Sequence, residues 1–333
     1  MKKIFITGAS GFIGGAIAQR LVPDHWVLAM ARTGASNDKI KALGARPVLS
    51  ALETVEPGML RAFDLVIHCA AYVKPWGRYE DFYQTNVEGT QRMIDAAQKA
   101  GVQRFIHIST ESVLFEGQDM IDIEESHPYP VKSPFPYSDT KRLAEQIVLQ
   151  ANEPGKFETI SLRPRFVWGP GDETILPNLV EMVDSGRFRW IGGGDYLTST
   201  CYIGNLVDAV VLAIERGKGG EAYFITDGEV STMRQFLTQL LQSAGRDPGD
   251  KNVSKGMARF TAAFLERVWN LLRIRRKPPI TRFSAAVMSA HCTISSTKAR
   301  EELGYQPRVS VEQGMKILSG APVNPLNPDP GPS

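Results

Sequence analysis

The chain has 333 residues, 43% of them hydrophobic, with 38 basic and 36 acidic side chains and a formal charge of +2. That length supports one large core plus a smaller lobe, and the even charge balance argues against a dedicated nucleic-acid binder. Cys69, Cys201 and Cys292 lie far apart with no CxxC, which argues against a disulfide framework or a zinc site and points to a reducing, cytoplasmic setting. The opening MKKIFITGAS begins like a signal peptide. Its apolar run is short and breaks at once into glycines, so it reads instead as a first buried strand.

From Lys3 to about Leu162 short apolar runs alternate with longer amphipathic stretches. KIFIT (3–7), WVLAMA (26–31), DLVIHCA (64–70), QRFIHIS (103–109) and FETISLR (157–163) read as buried strands. Residues 11–21, 79–100 and 137–151 read as the helices between them. Apolar strands joined by helical crossovers predict an α/β fold, a Rossmann-type doubly wound parallel sheet covered on both faces. After Arg163 the pattern loosens. The expected division is therefore a dinucleotide-binding domain over residues 1–165 and a smaller C-terminal lobe over residues 166–320, mainly substrate-binding, with some segments returning to the core. The tail 321–333 is so rich in proline that it is expected to be disordered.

The first strand runs straight into TGASGFIGG, with Gly8, Gly11 and Gly14 spaced GxxGxxG. Glycines here permit a tight turn and a close backbone approach to a pyrophosphate, and the following helix aims free N–H groups at the phosphates. Strand before and helix after make this a nucleotide site. At the end of the second strand, where an NAD site places a carboxylate for the ribose, the chain has Ala31 followed by Arg32. The missing acid and the guanidinium together predict a preference for NADP(H).

The fifth strand ends in HISTESVLFEG, which sets Ser109, Thr110 and Ser112 at the carboxyl edge of the sheet, where open α/β sheets bind ligands. Tyr137 and Lys141 stand four apart at the start of the 137–151 helix, on one helical face. A phenol loses its proton near pH ~10, and a cation held beside it brings it into working range as an acid or base. Thr110 can orient a carbonyl oxygen while Tyr137 protonates it.

Taken together, TGASGFIGG, HCAA, NVEGT, STESVLFEG, YSDTK, RPRFVWGPGD and ELGYQP resemble the extended short-chain dehydrogenase/reductase family over nearly the whole chain. Within that family, and within the wider NAD-dependent epimerase/dehydratase superfamily, SVLFEG, the proline-rich PYPVKSPFPYSDTK and STCYIGNLVDA are most similar to the 3β-hydroxysteroid and sterol-4-carboxylate 3-dehydrogenase branch. The resemblance implies Tyr137 as general acid/base, Lys141 as its partner and contact to the nicotinamide ribose, and Thr110 as the catalytic hydroxyl with Ser109 as fallback. It implies backbone N–H from Phe12 and Ile13 to the pyrophosphate, Ala70 and Ala71 lining the cofactor, Asn86 fixing the geometry, and Pro164 and Val167 facing the nicotinamide. Ser50 stands where the family usually has an acid for the adenine, which gives Arg32 more of that role. By the same analogy the 79–100 and 137–151 helices pair two subunits into a homodimer.

The expected activity is hydride transfer to or from a secondary alcohol or ketone of a small hydrophobic substrate, such as a 3β-hydroxy or 3-oxo steroid or a β-keto lipid acid. The alternatives are a nucleotide-sugar epimerase or reductase of the same superfamily and a catalytically silent NADPH-binding regulator. Dehydration would need an acidic pair after Thr110, and Ser112 replaces the second acid. Tyr72, Trp76, Phe135 and Trp168 are candidates both for pocket lining and for ordinary core. Along 256–277, Met257, Phe260, Phe264, Val268, Leu271 and Leu272 recur at helical spacing, with Arg273, Arg275, Arg276 and Lys277 after them. That pattern fits a core-packing helix with a solvated basic end, and it also fits a weak peripheral contact with an anionic membrane.

Overall fold

The computed structural model describes residues 1–274 and 276–320. Arg275 and the proline-rich tail lie outside the described residues. In chain order the strands of the two larger sheets are β1 (Lys3–Thr7), β2 (Trp26–Ala31), β3 (Arg46–Leu49), β4 (Leu65–His68), β5 (Arg104–Ile108), β6 (Met120–Ile123), β7 (Glu158–Pro164), β8 (Leu197–Ser199), β9 (Glu221–Ile225), β10 (Val230–Thr232) and β11 (Cys292–Ile294).

Seven strands form one parallel sheet in the order β9-β7-β5-β4-β1-β2-β3. The order turns back between β1 and β4, and the crevice at the carboxyl end of that reversal is where such sheets take ligands. Side chains of successive strand residues point to opposite faces. Ile4 and Ile6 accordingly join one buried cluster with Ile106, Ile160, Leu206 and Val210, while Phe5 joins another with Val66, Met93, Ile94 and Phe105. Each fully buried side chain of this size contributes about 1.5–3 kcal/mol of apolar transfer. The two layers of helix are therefore fixed by the period-two pattern of the strands. The edge strand β9 comes from beyond residue 165: Tyr223 pairs with Leu162 in parallel register.

The smaller sheet runs β10-β8-β11-β6 and combines parallel and antiparallel pairing. It stands next to the carboxyl ends of β5 and β7, because β6 follows β5 after a short turn, Glu111–Leu114. The stretch read as one helix over 79–100 is three pieces in a row: an α-turn at Tyr79–Tyr83, a π-helical turn at Gln84–Glu88, and the α-helix Gly89–Ala100. Such π-turns insert one residue into a helix and often sit at functional sites. Here the turn carries Asn86.

Candidate active site

The glycine turn follows directly from β1. Gly8 has φ +73°, and a Cβ there would lie 2.8 Å from the Ala70 backbone nitrogen. A Cβ on Gly14 would run into the Gly8 carbonyl. The helix Phe12–Leu21 starts at Gly11 with no side-chain cap, so the first N–H groups, including those of Phe12 and Ile13, have no partner within the helix. A cradle of bare backbone N–H groups with no room for a Cβ fits a dinucleotide pyrophosphate. Thr7 at the end of β1 closes the floor, its hydroxyl accepting from Ala70 N at 3.1 Å and meeting His68 Nδ1 at 2.8 Å.

Each sequence-derived candidate lies in or beside this carboxyl edge. Arg32 is the first residue after β2 and is exposed. Ala70 and Ala71 follow β4, Ser109 and Thr110 follow β5, and Pro164 closes β7. Val167 continues from there and pairs with Cys201. Asn86, 1% exposed, accepts from Tyr72 N at 2.7 Å and donates to Thr140 Oγ1 at 3.0 Å, tying the loop after β4 to the helix that carries Tyr137.

That helix, Pro136–Gln150, begins with proline at its first position, where the missing N–H costs nothing. Its inward face presents Tyr137, Lys141 and Glu145 at four-residue intervals. Glu145 is fully buried and paired with Arg163 of β7 at 2.8 Å, and it also accepts from Tyr129 at 2.8 Å and Ser161 at 2.6 Å. Asp139 on the opposite side takes Tyr79 Oη at 2.8 Å and Arg142 at 2.9 Å. The helix is thereby locked on both flanks.

Lys141 is turned inward. Its ammonium meets His107 Nε2 at 3.0 Å and donates to the Ile108 carbonyl at 2.8 Å. Burial pulls its pKa down to about 8, against the opposing pull of the Glu145 carboxylate. Burial, helped by the Lys141 cation, holds His107 well below the usual histidine range, so the ring is a neutral partner. The phenol of Tyr137 differs from the simple expectation. Burial pushes it above its ordinary value, the nearby Glu111 carboxylate adds to the rise, and a hydrogen-bonding contact with Thr110 works the other way.

Glu111 and Arg165 are the residues sequence reasoning did not bring together. Arg165 Nη1 donates to Glu111 Oε1 at 2.7 Å, and both side chains are nearly inaccessible. Thr110 Oγ1 donates to Glu111 Oε2 at 2.7 Å. Nothing in a sequence pairs positions 54 apart; the only local signal was an acid next to the candidate hydroxyl. Phe283 is a second addition. Its ring centroid lies 5.8 Å from that of Tyr137 and 5.5 Å from that of Phe135, so the short helix Arg282–Val287 places an apolar wall over the phenol. Trp168, by contrast, is core: it is fully buried, with Nε1 donating to Asp227 at 3.0 Å.

The chain matches the 3-beta hydroxysteroid dehydrogenase/isomerase family over residues 5–254. It is 41% identical over 324 residues to a 4-hydroxy-2-methyl-3-oxo-4-farnesyl-3,4-dihydroquinoline-1-oxide ketoreductase of Stigmatella aurantiaca, covering 96% of each chain. It is 36% identical over 329 residues to a 2-alkyl-3-oxoalkanoate reductase of Stenotrophomonas maltophilia, covering 96% of this chain and 99% of that one. Among solved structures, a UDP-glucuronic acid 4-epimerase from Bacillus cereus in complex with NAD superposes with a TM-score of 0.74 at 21% identity, over 96% of this chain and 97% of that one, a likeness of fold. A family match over most of the sequence, joined to relatives that align along almost its whole length, means that the chain belongs to the 3-beta hydroxysteroid dehydrogenase/isomerase family.

Proposed function

We propose that this chain is an NADP(H)-dependent oxidoreductase that moves a hydride between nicotinamide and a secondary alcohol or ketone of a hydrophobic substrate, with Tyr137 as general acid/base. The observation that carries this reading is that Tyr137, under the ring of Phe283, stands one turn before the buried Lys141, whose ammonium is tied to the carboxyl end of β5 through the Ile108 carbonyl. Gly8, Gly11, Phe12, Ile13 and Gly14 would hold the pyrophosphate, Arg32 a 2′-phosphate, and Ala70, Ala71, Asn86, Ser109, Lys141, Pro164 and Val167 the nicotinamide end. Bound reduced nicotinamide would supply the hydride. Tyr137 gives its proton to the ketone oxygen, Thr110 orients that oxygen, and the buried ammonium of Lys141 steadies the phenolate that is left. The phenyl wall of Phe283 and Phe135 excludes water and favours an apolar ring or chain beside the carbonyl. The two relatives named above act, by their names, on a farnesylated 3-oxo heterocycle and on 3-oxoalkanoates, which supports a β-keto lipid or 3-oxo steroid as substrate class.

The test is NADPH oxidation against a panel of 3-oxo steroids, β-keto acids, prenylated ring ketones and nucleotide sugars. Turnover of an apolar ketone is expected. Tyr137→Phe should lower kcat by at least about a hundredfold, the low end of general acid–base contributions, with NADPH affinity nearly intact. Retained turnover in that variant would sink the acid/base role, and turnover of nucleotide sugars alone would favour an epimerase or reductase of that class. We also propose that the Lys255–Leu271 helix rests on an anionic membrane surface.

A further inference from the structure

We propose that His107 is a positioning residue for Lys141: its Nε2 lone pair takes one proton of the buried ammonium, the Ile108 carbonyl takes a second, and the third is left for the site. The inference deepens the acid/base reading above, in which the Lys141 cation steadies the Tyr137 phenolate, and it rests on that reading.

An ammonium has three donors and no acceptor. Lys141 Nζ lies 3.0 Å from His107 Nε2 and 2.8 Å from the Ile108 oxygen, and the residue is 2% exposed. The imidazole must therefore accept at Nε2, and a neutral ring that does so carries its proton on Nδ1. That nitrogen is buried and has no hydrogen-bond partner among the described residues. A buried donor left unpaired is unfavourable, and the position itself suits an apolar side chain. Phe105, on the same face of β5, belongs to an apolar cluster. What an imidazole supplies there is the acceptor at Nε2.

His68 gives the contrast. Thr90 gives its single hydroxyl proton to the Asn86 carbonyl at 2.6 Å, so at 3.0 Å it accepts from His68 Nε2. Burial pulls the pKa of His68 down to about 3. The ring is neutral, and its Nδ1 accepts from the Thr7 hydroxyl at 2.8 Å. Both nitrogens of His68 are thus paired. Its ring lies 5.5 Å from that of His107 at an interplanar angle of 24°, which gives the second imidazole a fixed wall.

The other titratable groups around the ammonium do not replace this acceptor. Burial raises the Cys69 thiol, just after β4, to about 12, so it is neutral. Glu111, after β5, is bound to Arg165 at 2.7 Å. Tyr137 and Glu145 stand one turn before and after Lys141, and the Glu145 carboxylate is bound to Arg163 of β7 at 2.8 Å. Burial favours the neutral amine of Lys141, and Glu145 opposes it as a nearby charge.

The sign follows from these contacts. Without the acceptor the ammonium is harder to keep, so the Lys141 pKa falls. A phenolate beside a poorly held cation is harder to form, so the Tyr137 pKa rises. Alcohol oxidation needs the phenolate and the ammonium together, and its pH profile should narrow from both sides.

The first measurement uses the unaltered chain. NMR of isotope-labelled imidazole nitrogens reads the tautomers of its five histidines near neutral pH, with His107→Gln and His68→Gln for assignment. His107 should carry its proton on Nδ1 and His68 on Nε2; a His107 protonated on Nε2 overturns the proposal. The second is the titration of the Lys141 side chain by NMR of labelled lysine, assigned with Lys141→Arg. His107→Leu, which has no lone pair to offer, should lower the midpoint by about one pH unit, a tenfold change in ionisation. His107→Gln, whose amide oxygen can accept, should return it towards wild type. No shift in His107→Leu overturns the proposal. If that variant fails to fold, His107→Phe, which matches its neighbour Phe105, carries the same expectation. With the alcohol of the apolar ketone found in the panel, the kcat profile of His107→Leu should narrow on both limbs while KM stays nearly constant, and an unchanged profile counts against the role. Retained turnover in Tyr137→Phe overturns the acid/base reading and with it the purpose given to Lys141. A failed tautomer or lysine titration overturns His107 alone, so the two failures are distinguishable.

Discussion

At the scale of single residues, the site is decided by which charges are paired and which are free. Lys141 and Glu111 are both buried and both held by neighbours, so neither can swing to a ligand without breaking a contact. Arg32 is the opposite case: it is exposed at the end of β2 and follows Ala31, where a carboxylate would repel a phosphate. A guanidinium that meets a phosphate makes charge-assisted bonds, each worth about 1.5–3 kcal/mol. Arg32→Ala should therefore weaken NADPH by roughly ten- to a hundredfold and leave NADH almost unchanged. Titration of both cofactors into the wild type and the variant by fluorescence checks this; equal losses for the two would remove Arg32 from 2′-phosphate recognition. Tyr137, Lys141 and the glycines were legible because each belongs to a pattern confined to a few neighbouring positions. The Glu111 and Arg165 pair was not, because its meaning arises only when β5 and β7 lie side by side.

At the scale of elements, the Pro136–Gln150 helix owes its placement to a buried ion pair rather than to propensity. Glu145 stands one turn beyond Lys141 and is bound to Arg163, Tyr129 and Ser161. Deleting one partner of such a pair leaves a charge in the interior with nothing to compensate it. Glu145→Ala should cost about 3–5 kcal/mol, read as a fall in the urea midpoint at unchanged slope. A loss below about 1 kcal/mol, the ordinary effect of a surface ion pair, would contradict the locked helix. The fold's central strands were readable from continuous apolar runs. The edge strand β9 was harder: EAYFI is five residues long, and only its pairing with β7 shows that the chain returns to the main sheet after leaving it. The helix over 79–100 hid its π-turn for a related reason, since an inserted residue leaves the apolar period almost unchanged.

At the scale of the whole molecule, the Lys255–Leu271 helix is arranged the wrong way round for a core helix. Ala258 and Ala262 are buried in a cluster with Ile191 and Ala285, whereas Phe260 is 68% exposed, Phe264 57% and Leu271 81%. Met257 and Leu272 extend the same outward stripe, and exposed Arg267, Arg273, Arg276 and Lys277 accompany it. The sequence showed the periodicity but not its sense, because helical spacing alone does not tell which side faces the protein. Among the described residues no helix is long and apolar enough to cross a membrane; the contact proposed for this helix is with a surface. The helix packs on the short helix that carries Phe283, with Arg259 donating to Ser289 and to the Gly117 carbonyl at 3.2 Å each. An apolar substrate dissolved in lipid would thus be met close to Phe283 and Tyr137. Each basic residue near an anionic surface adds about 1 kcal/mol, and each large apolar side chain moved out of water about 1.5–3 kcal/mol. Vesicles containing phosphatidylserine should carry the protein upward in a flotation gradient, and neutral vesicles should carry much less. Phe260→Ser/Phe264→Ser should cut the floated fraction at least tenfold, in line with the loss of ~3 kcal/mol or more of transfer energy, while activity on a water-soluble ketone stays the same. Protein that remains at the bottom of the gradient with anionic vesicles would rule out the membrane contact and leave the stripe as a surface for a second protein.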